Sequence, residues 1–279
     1  MLWLRMASRG SVPTDFAKGL ARAYAGAVIF GLPLLMTMEM WWLGFYMPSW
    51  KLALLLLLFL PVLVVLSWHA GFEPTFRWRD DVVDALVAYA VGFTSSAALL
   101  WLLGLLNDGV SLREGIGKIA LQAVPAAIGA LLAQSQLGER RADEAPSGGE
   151  RYASELFIMG TGALFLSFNL APTQEMLVIA VRATPWQAVL IVLLSLGLMH
   201  AFVYRVAFRG GSQAGPEAPA AGLFLRFTVA GYALALLLSA GSLWFFGRLD
   251  GLGLSPALHA TIVLGFPAAV GAAAARLIL

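Results

Sequence analysis

Residues 52–68 read LALLLLLFLPVLVVLSW. No charge interrupts them, and the five consecutive leucines at 54–58 leave no alternation of polarity. A membrane-spanning β-strand would alternate apolar and polar positions, so the stretch predicts a helix that crosses a bilayer. Such a helix needs about 20 predominantly apolar residues. Moving outward from Leu52–Trp68, seven further segments qualify: Ala23–Phe45, Val82–Leu106, Ile116–Ala133, Leu156–Val181, Ala188–Tyr204, Leu223–Phe246 and Leu258–Leu279. The fold class expected is an all-α membrane protein with eight transmembrane helices.

Composition agrees. Hydrophobic residues make up 60% of the chain and charged residues 12%, against about 45–50% and about 25% in soluble domains. With so little charge the surface cannot be covered by groups that water solvates, and the lipid bilayer is the partner implied. The net charge of +2 and the lack of a basic stripe give no sign of a nucleic-acid partner. The chain has no cysteine, which removes disulfides, thiolate metal sites and cysteine nucleophiles.

Met1–Met6 is too short for a signal-peptide core, and residues 1–22, with Arg5, Arg9, Lys18 and Arg22, read as a basic tail. Residues 134–154 form a polar linker and Gly210–Pro219 a Gly/Ala/Pro-rich loop. Lys and Arg concentrate at one end of the spans. That bias places both chain termini in the cytoplasm, with Lys51, Arg113, Lys118, Arg182 and Arg248 on the outer side. Trp41, Trp42, Trp50, Trp101, Trp186 and Trp244 then mark the outer interface, and Trp68 and Trp78 the inner one.

The sequence also repeats itself. Thr37-Met38-Glu39-Met40 recurs as Thr173-Gln174-Glu175-Met176, and the same shift carries Trp50 onto Trp186. Tyr89, Ser96, Trp101 and Gly104 match Tyr232, Ser239, Trp244 and Gly247, while Val124–Ala130 matches Phe266–Ala272. The expectation is two tandem four-helix repeats, 23–133 and 155–279. Four spans per copy is even, so the copies would run parallel, about a pseudo-twofold axis along the membrane normal.

Glu39 and Glu175 are the acidic residues well inside these spans. An intramembrane carboxylate costs about 2.5–3.5 kcal/mol on insertion scales and usually faces a bundle interior or a wet cavity. The pair could bind one cation or share a proton; the plainer alternative is a structural hydrogen bond or contact with headgroups. Thr37, Thr173, Asn169 and Gln174 stand beside them. Pro33 and Pro172 are candidate helix breaks that free backbone carbonyls, with a simple packing kink as the competing reading. Tyr89, Ser96, Tyr232 and Ser239 could line a pathway, although small hydroxyls commonly bind membrane helices together. His200 could relay protons, or bond a neighbouring helix as a neutral ring. His69 and Glu73 are a weak pair for a metal. Arg77, Arg79, Asp80, Asp81 and Asp84 read as a solvated face.

No His-Glu-x-x-His, Gly-x-Ser-x-Gly or phosphate-binding loop is present, so neither an enzyme nor a cofactor is expected. The Thr-Met-Glu-Met-Trp-Trp stretch at 37–42 and Ala-Pro-Thr-Gln-Glu-Met at 171–176 resemble a bacterial family of integral membrane proteins of unassigned function. The resemblance implies a location in the bacterial inner membrane and brings no mechanism. The leading expectation from the residues is an ion channel or ion-coupled transporter whose substrate is a cation or proton. A non-transporting sensor or scaffold and a lipid-handling protein are the alternatives. Small-residue runs such as Gly271–Ala275 would pack internally or at a homo-oligomer interface.

Overall fold

The computed structural model describes residues 12–70, 78–137, 148–208, 222 and 224–278. The expectations on Arg5, Arg9, Glu73, Arg77 and the Gly210–Pro219 loop lie outside these residues. The chain divides into two compact units, Met1–Ala142 and Asp143–Leu279.

The first unit contains α1 (Val12–Leu35), α2 (Met38–Tyr46), α3 (Ser49–Ala70), α4 (Trp78–Leu102) and α5 (Leu112–Leu137). All four other helices pack on α5, whose apolar window is 83% buried. Small residues make this central position possible. Gly26 of α1 meets the backbone of α5 at Gly129 and the Ala133 methyl, and Gly92 of α4 meets the α5 backbone at Ala123 and Ala127. Without side chains between them, membrane helices approach closely enough for dispersion to hold them.

The second unit contains α6 (Gly148–Leu170), α7 (Gln174–Arg182), α8 (Pro185–Phe208), α9 (Ala230–Phe245) and α10 (Leu254–Ile278), with a π-helical turn at Phe224–Val229 leading into α9. Here α6, α7, α8 and α9 all pack on α10. Gly162 of α6 meets α10 at Gly271 and Ala275, so the small-residue run at 271–275 packs within its own unit. Met159, Met199, Tyr232, Ala268 and Ala272 belong to the core of this unit.

Two turns show how sequence sets the ends of helices. After α4, Gly104 takes φ +73° and the Leu105 amide donates to the Leu100 carbonyl at 2.8 Å. After α9, Gly247 takes φ +70° and the Arg248 amide donates to Leu243 at 2.8 Å. Glycine reaches this left-handed conformation without a Cβ penalty and ends a helix by satisfying its last carbonyls.

Among the described residues, seven helices are long and apolar enough to cross a membrane, or eight if the bent pair α1–α2 is one broken span. Among the described residues there is no strand. Three details correct the expected layout. The span expected over Ala23–Phe45 turns by 87° between α1 and α2, and the one over Leu156–Val181 is interrupted at Ala171–Thr173. Helix α1 starts at Val12, within the expected tail. Asp81, read as solvated, is buried in the first turn of α4, where free amides and the helix dipole favour an acid. Asp84 is half-buried there and accepts a 3.3 Å hydrogen bond from Ser67.

Candidate functional site

The interrupted helices carry the repeated motif. In the first unit the chain leaves α1 through Thr37, whose backbone is extended at φ −95° and ψ 129°. The Leu34 carbonyl accepts from both the Thr37 amide, at 3.1 Å, and its hydroxyl, at 2.7 Å. The Trp41 indole, from the first turns of α2, donates to the Leu35 carbonyl at 2.8 Å. Carbonyls that a helix end leaves without partners are thus supplied with donors by the motif itself. Pro33 lies inside α1, upstream of the break. Glu39 sits half-buried in the first turn of α2, where the amides and the helix dipole favour a carboxylate.

The second unit builds its break from the matching residues. Thr173 is extended at φ −71° and ψ 141°, and Leu170 accepts from its amide at 3.0 Å and its hydroxyl at 2.8 Å. Pro172 lies in the break, and its carbonyl is taken by Nη2 of Arg248. A mobile cation at that carbonyl would have to displace a guanidinium. Asn169 is buried; its Nδ2 donates to Phe165 at 2.7 Å, and its Oδ1 has no partner. Gln174 and Glu175 are exposed in the first turn of α7. The side-chain groups here able to attract a cation or proton are the Glu175 carboxylate and the amide oxygens of Asn169 and Gln174.

The proposed lining residues take part in helix contacts. Tyr89 donates to the Leu56 carbonyl of α3 at 2.7 Å. Ser239 donates to Ala235 at 2.7 Å and lies 3.3 Å from the Ser167 hydroxyl of α6. Ser96 is buried and its hydroxyl has no partner. Tyr232 is buried in the core of the second unit. His200 Nδ1 lies 3.3 Å from the Thr228 hydroxyl in the π-helical turn, and its ring meets Phe224 edge-on. Among the described residues no group of three or more His, Asp or Glu could hold a metal.

Two ion pairs, each with a buried cation and a half-buried carboxylate, went unread in the sequence. On α5, Glu114, Lys118 and Gln122 recur every four residues along one stripe. Lys118 is buried; its Nζ lies 2.6 Å from Glu114 and donates to the Leu105 carbonyl at 3.2 Å. Gly44 of α2 leaves room for its stem, and Gln122 Nε2 donates to the Gly31 carbonyl of α1. The signal was that four-residue spacing within an apolar span. In the second unit, Arg276 at the end of α10 pairs with Glu155 of α6 at 2.6 Å and stacks 4.1 Å over the Phe227 ring. Its Nη1 is buried without a partner.

No curated protein and no solved structure matches the chain. A family model described as "Putative integral membrane protein (DUF2391)" matches residues 19–279. That match takes in both units and both interrupted helices, and the chain belongs to this family of integral membrane proteins.

Proposed function

We propose that the protein moves a cation or proton across the membrane, as a channel or an ion-coupled transporter, and that Glu39 and Glu175 receive the ion. The observation that carries this reading is the interruption of a helix in each unit at the same motif, Leu-x-x-Thr-x-Glu-Met, with the acid in the first turn after the break. Hydrophobic segments interrupted at corresponding positions in two halves are a pointer to the binding site of secondary transporters. Asn169 offers a buried amide oxygen without a partner, while the carbonyls of Leu35 and Pro172 already hold protein donors.

The two units are, on this reading, copies of one ancestral unit. Supporting it are the central last helix of each, the crossings Gly26–Gly129 and Gly162–Gly271, and the glycine-ended helices at Gly104 and Gly247. Copies with an even number of crossings would enter the membrane in the same sense. The distribution of Lys and Arg favours both termini in the cytoplasm, and the resemblance to a bacterial family favours an inner-membrane location.

The test is ion and proton flux in proteoliposomes, comparing the natural chain with the Glu39→Gln, Glu175→Gln double variant. The natural chain is expected to conduct, and the variant to lose flux while keeping its elution volume and unfolding temperature. Flux retained by the variant would remove both acids from the site. A natural chain that passes no tested ion would leave a sensor or scaffold as the better reading.

A further inference from the structure

The third helix of each unit has little protein cover. The apolar window of α3 is 22% buried and that of α8 17% buried. Leu57 and Leu58 on α3, and Leu193 and Leu194 on α8, are exposed. In an integral membrane protein such faces meet acyl chains.

Beside each of these helices runs a groove. One of about 480 Å³ lies between α3 and α5, walled by Ala53, Leu56, Ile116 and Ala120. The other, about 440 Å³, lies between α8 and α10, walled by Val189, Val192, Leu258 and Ile262. Both fall within the ~300–1,000 Å³ range of small-molecule sites.

Their mouths differ. In the first unit, α3 and α5 both begin at the mouth, which Ser49 and exposed Arg113 line. Two helix N-termini and a guanidinium therefore converge at one end of an apolar trough. Glu114, next to Arg113, is committed to Lys118 at 2.6 Å. Lys51 stands in the first turn of α3, its ammonium 5.8 Å from the centre of the exposed Trp50 ring. At the mouth of the second groove α8 and α10 begin in the same way, at Pro185 and Leu254, and His259 lines the groove, but neither Lys nor Arg does.

We propose that the groove of the first unit is a binding site for an anionic phospholipid of the surrounding bilayer, with an acyl chain along α3 and α5 and the phosphate at Arg113. Helix N-termini and a cation attract the phosphate, and Trp50 suits the headgroup level at which tryptophan gathers. The second groove has helix N-termini but no Lys or Arg, and takes an acyl chain with a weaker preference for headgroup charge. The site does not depend on whether the protein moves ions.

The experiment is native mass spectrometry of the full chain released from detergent, titrated with phosphatidylglycerol or phosphatidylethanolamine of identical acyl chains. The natural chain is expected to prefer phosphatidylglycerol, and Arg113→Gln to lose about fivefold of that preference, the worth of one cation near an anionic surface. Arg113→Lys should retain most of it. Ala53→Phe, which fills the groove from an exposed position, should weaken both lipids, whereas Val189→Phe in the second groove should leave the preference intact. Equal affinity of the natural chain for the two lipids would overturn the proposal. So would a preference that survives Arg113→Gln, or one that Val189→Phe removes as readily as Ala53→Phe.

Discussion

A methyl group at Gly26 would strike the Gly129 carbonyl and Ala133, and one at Gly129 would strike the Gly26 carbonyl and Phe30. Gly129→Val should therefore destabilise the protein by about 1–3 kcal/mol, the usual cost of overfilling a packed interior. Gly271→Val should do the same in the second unit, and Gly197→Ala, which meets nothing within 4 Å, should not. Thermal unfolding in detergent decides between these outcomes. At this scale the sequence was uneven. Glu39 and Glu175 were visible because an acid in an apolar run stands out. Counting Lys and Arg places Lys118 on the outer side of the membrane but says nothing of whether its side chain is buried. Packing against Gly44 and pairing with Glu114 show that the side chain is buried within the unit.

Between α6 and α7 the last carbonyls of one helix and the first amides of the next fall within four residues. The Arg248 guanidinium holds this break by bonding the Pro172 carbonyl. Removing it with Arg248→Ala should cost about 1.5–3 kcal/mol, as for a hydrogen bond to a charged group. Hydrogen exchange should then speed up in α7 while α8 and α9 keep their protection. Proline alone did not reveal where the helices break. Pro172 falls in its break, but Pro33 is accommodated inside α1, because a lost amide can be compensated by neighbouring helices. The feature common to both breaks is an extended threonine whose hydroxyl returns to the carbonyl three residues earlier. Threonine does this locally in many contexts, so its presence in an apolar run does not by itself announce a break.

Each unit buries its own last helix under its other four, so the interior contacts of each are made within its half of the chain. Fragments Met1–Ala142 and Asp143–Leu279, expressed separately in membranes, should each insert and unfold cooperatively, as followed by circular dichroism in detergent. Failure of either fragment to give a sigmoidal transition would mean that its stability is borrowed from the other. The membrane class was legible at this scale because nothing soluble can carry so little charge. The choice of α5 and α10 as central helices was not legible, since lipid and protein interior are equally apolar and periodicity cannot tell them apart. Their small residues held the clue, through whole-helix patterns such as Gly129 with Ala133 and Gly271 with Ala275. The crossing of α1 over α5 at Gly26 has one more consequence. Helix α1 has 24 residues, about 36 Å of rod at 1.5 Å per residue, and Gly26 lies near its middle. Backbone rests on backbone there, which makes the crossing a fulcrum: if α1 tilts, the end that bears Thr37 must swing one way as the Val12 end swings the other.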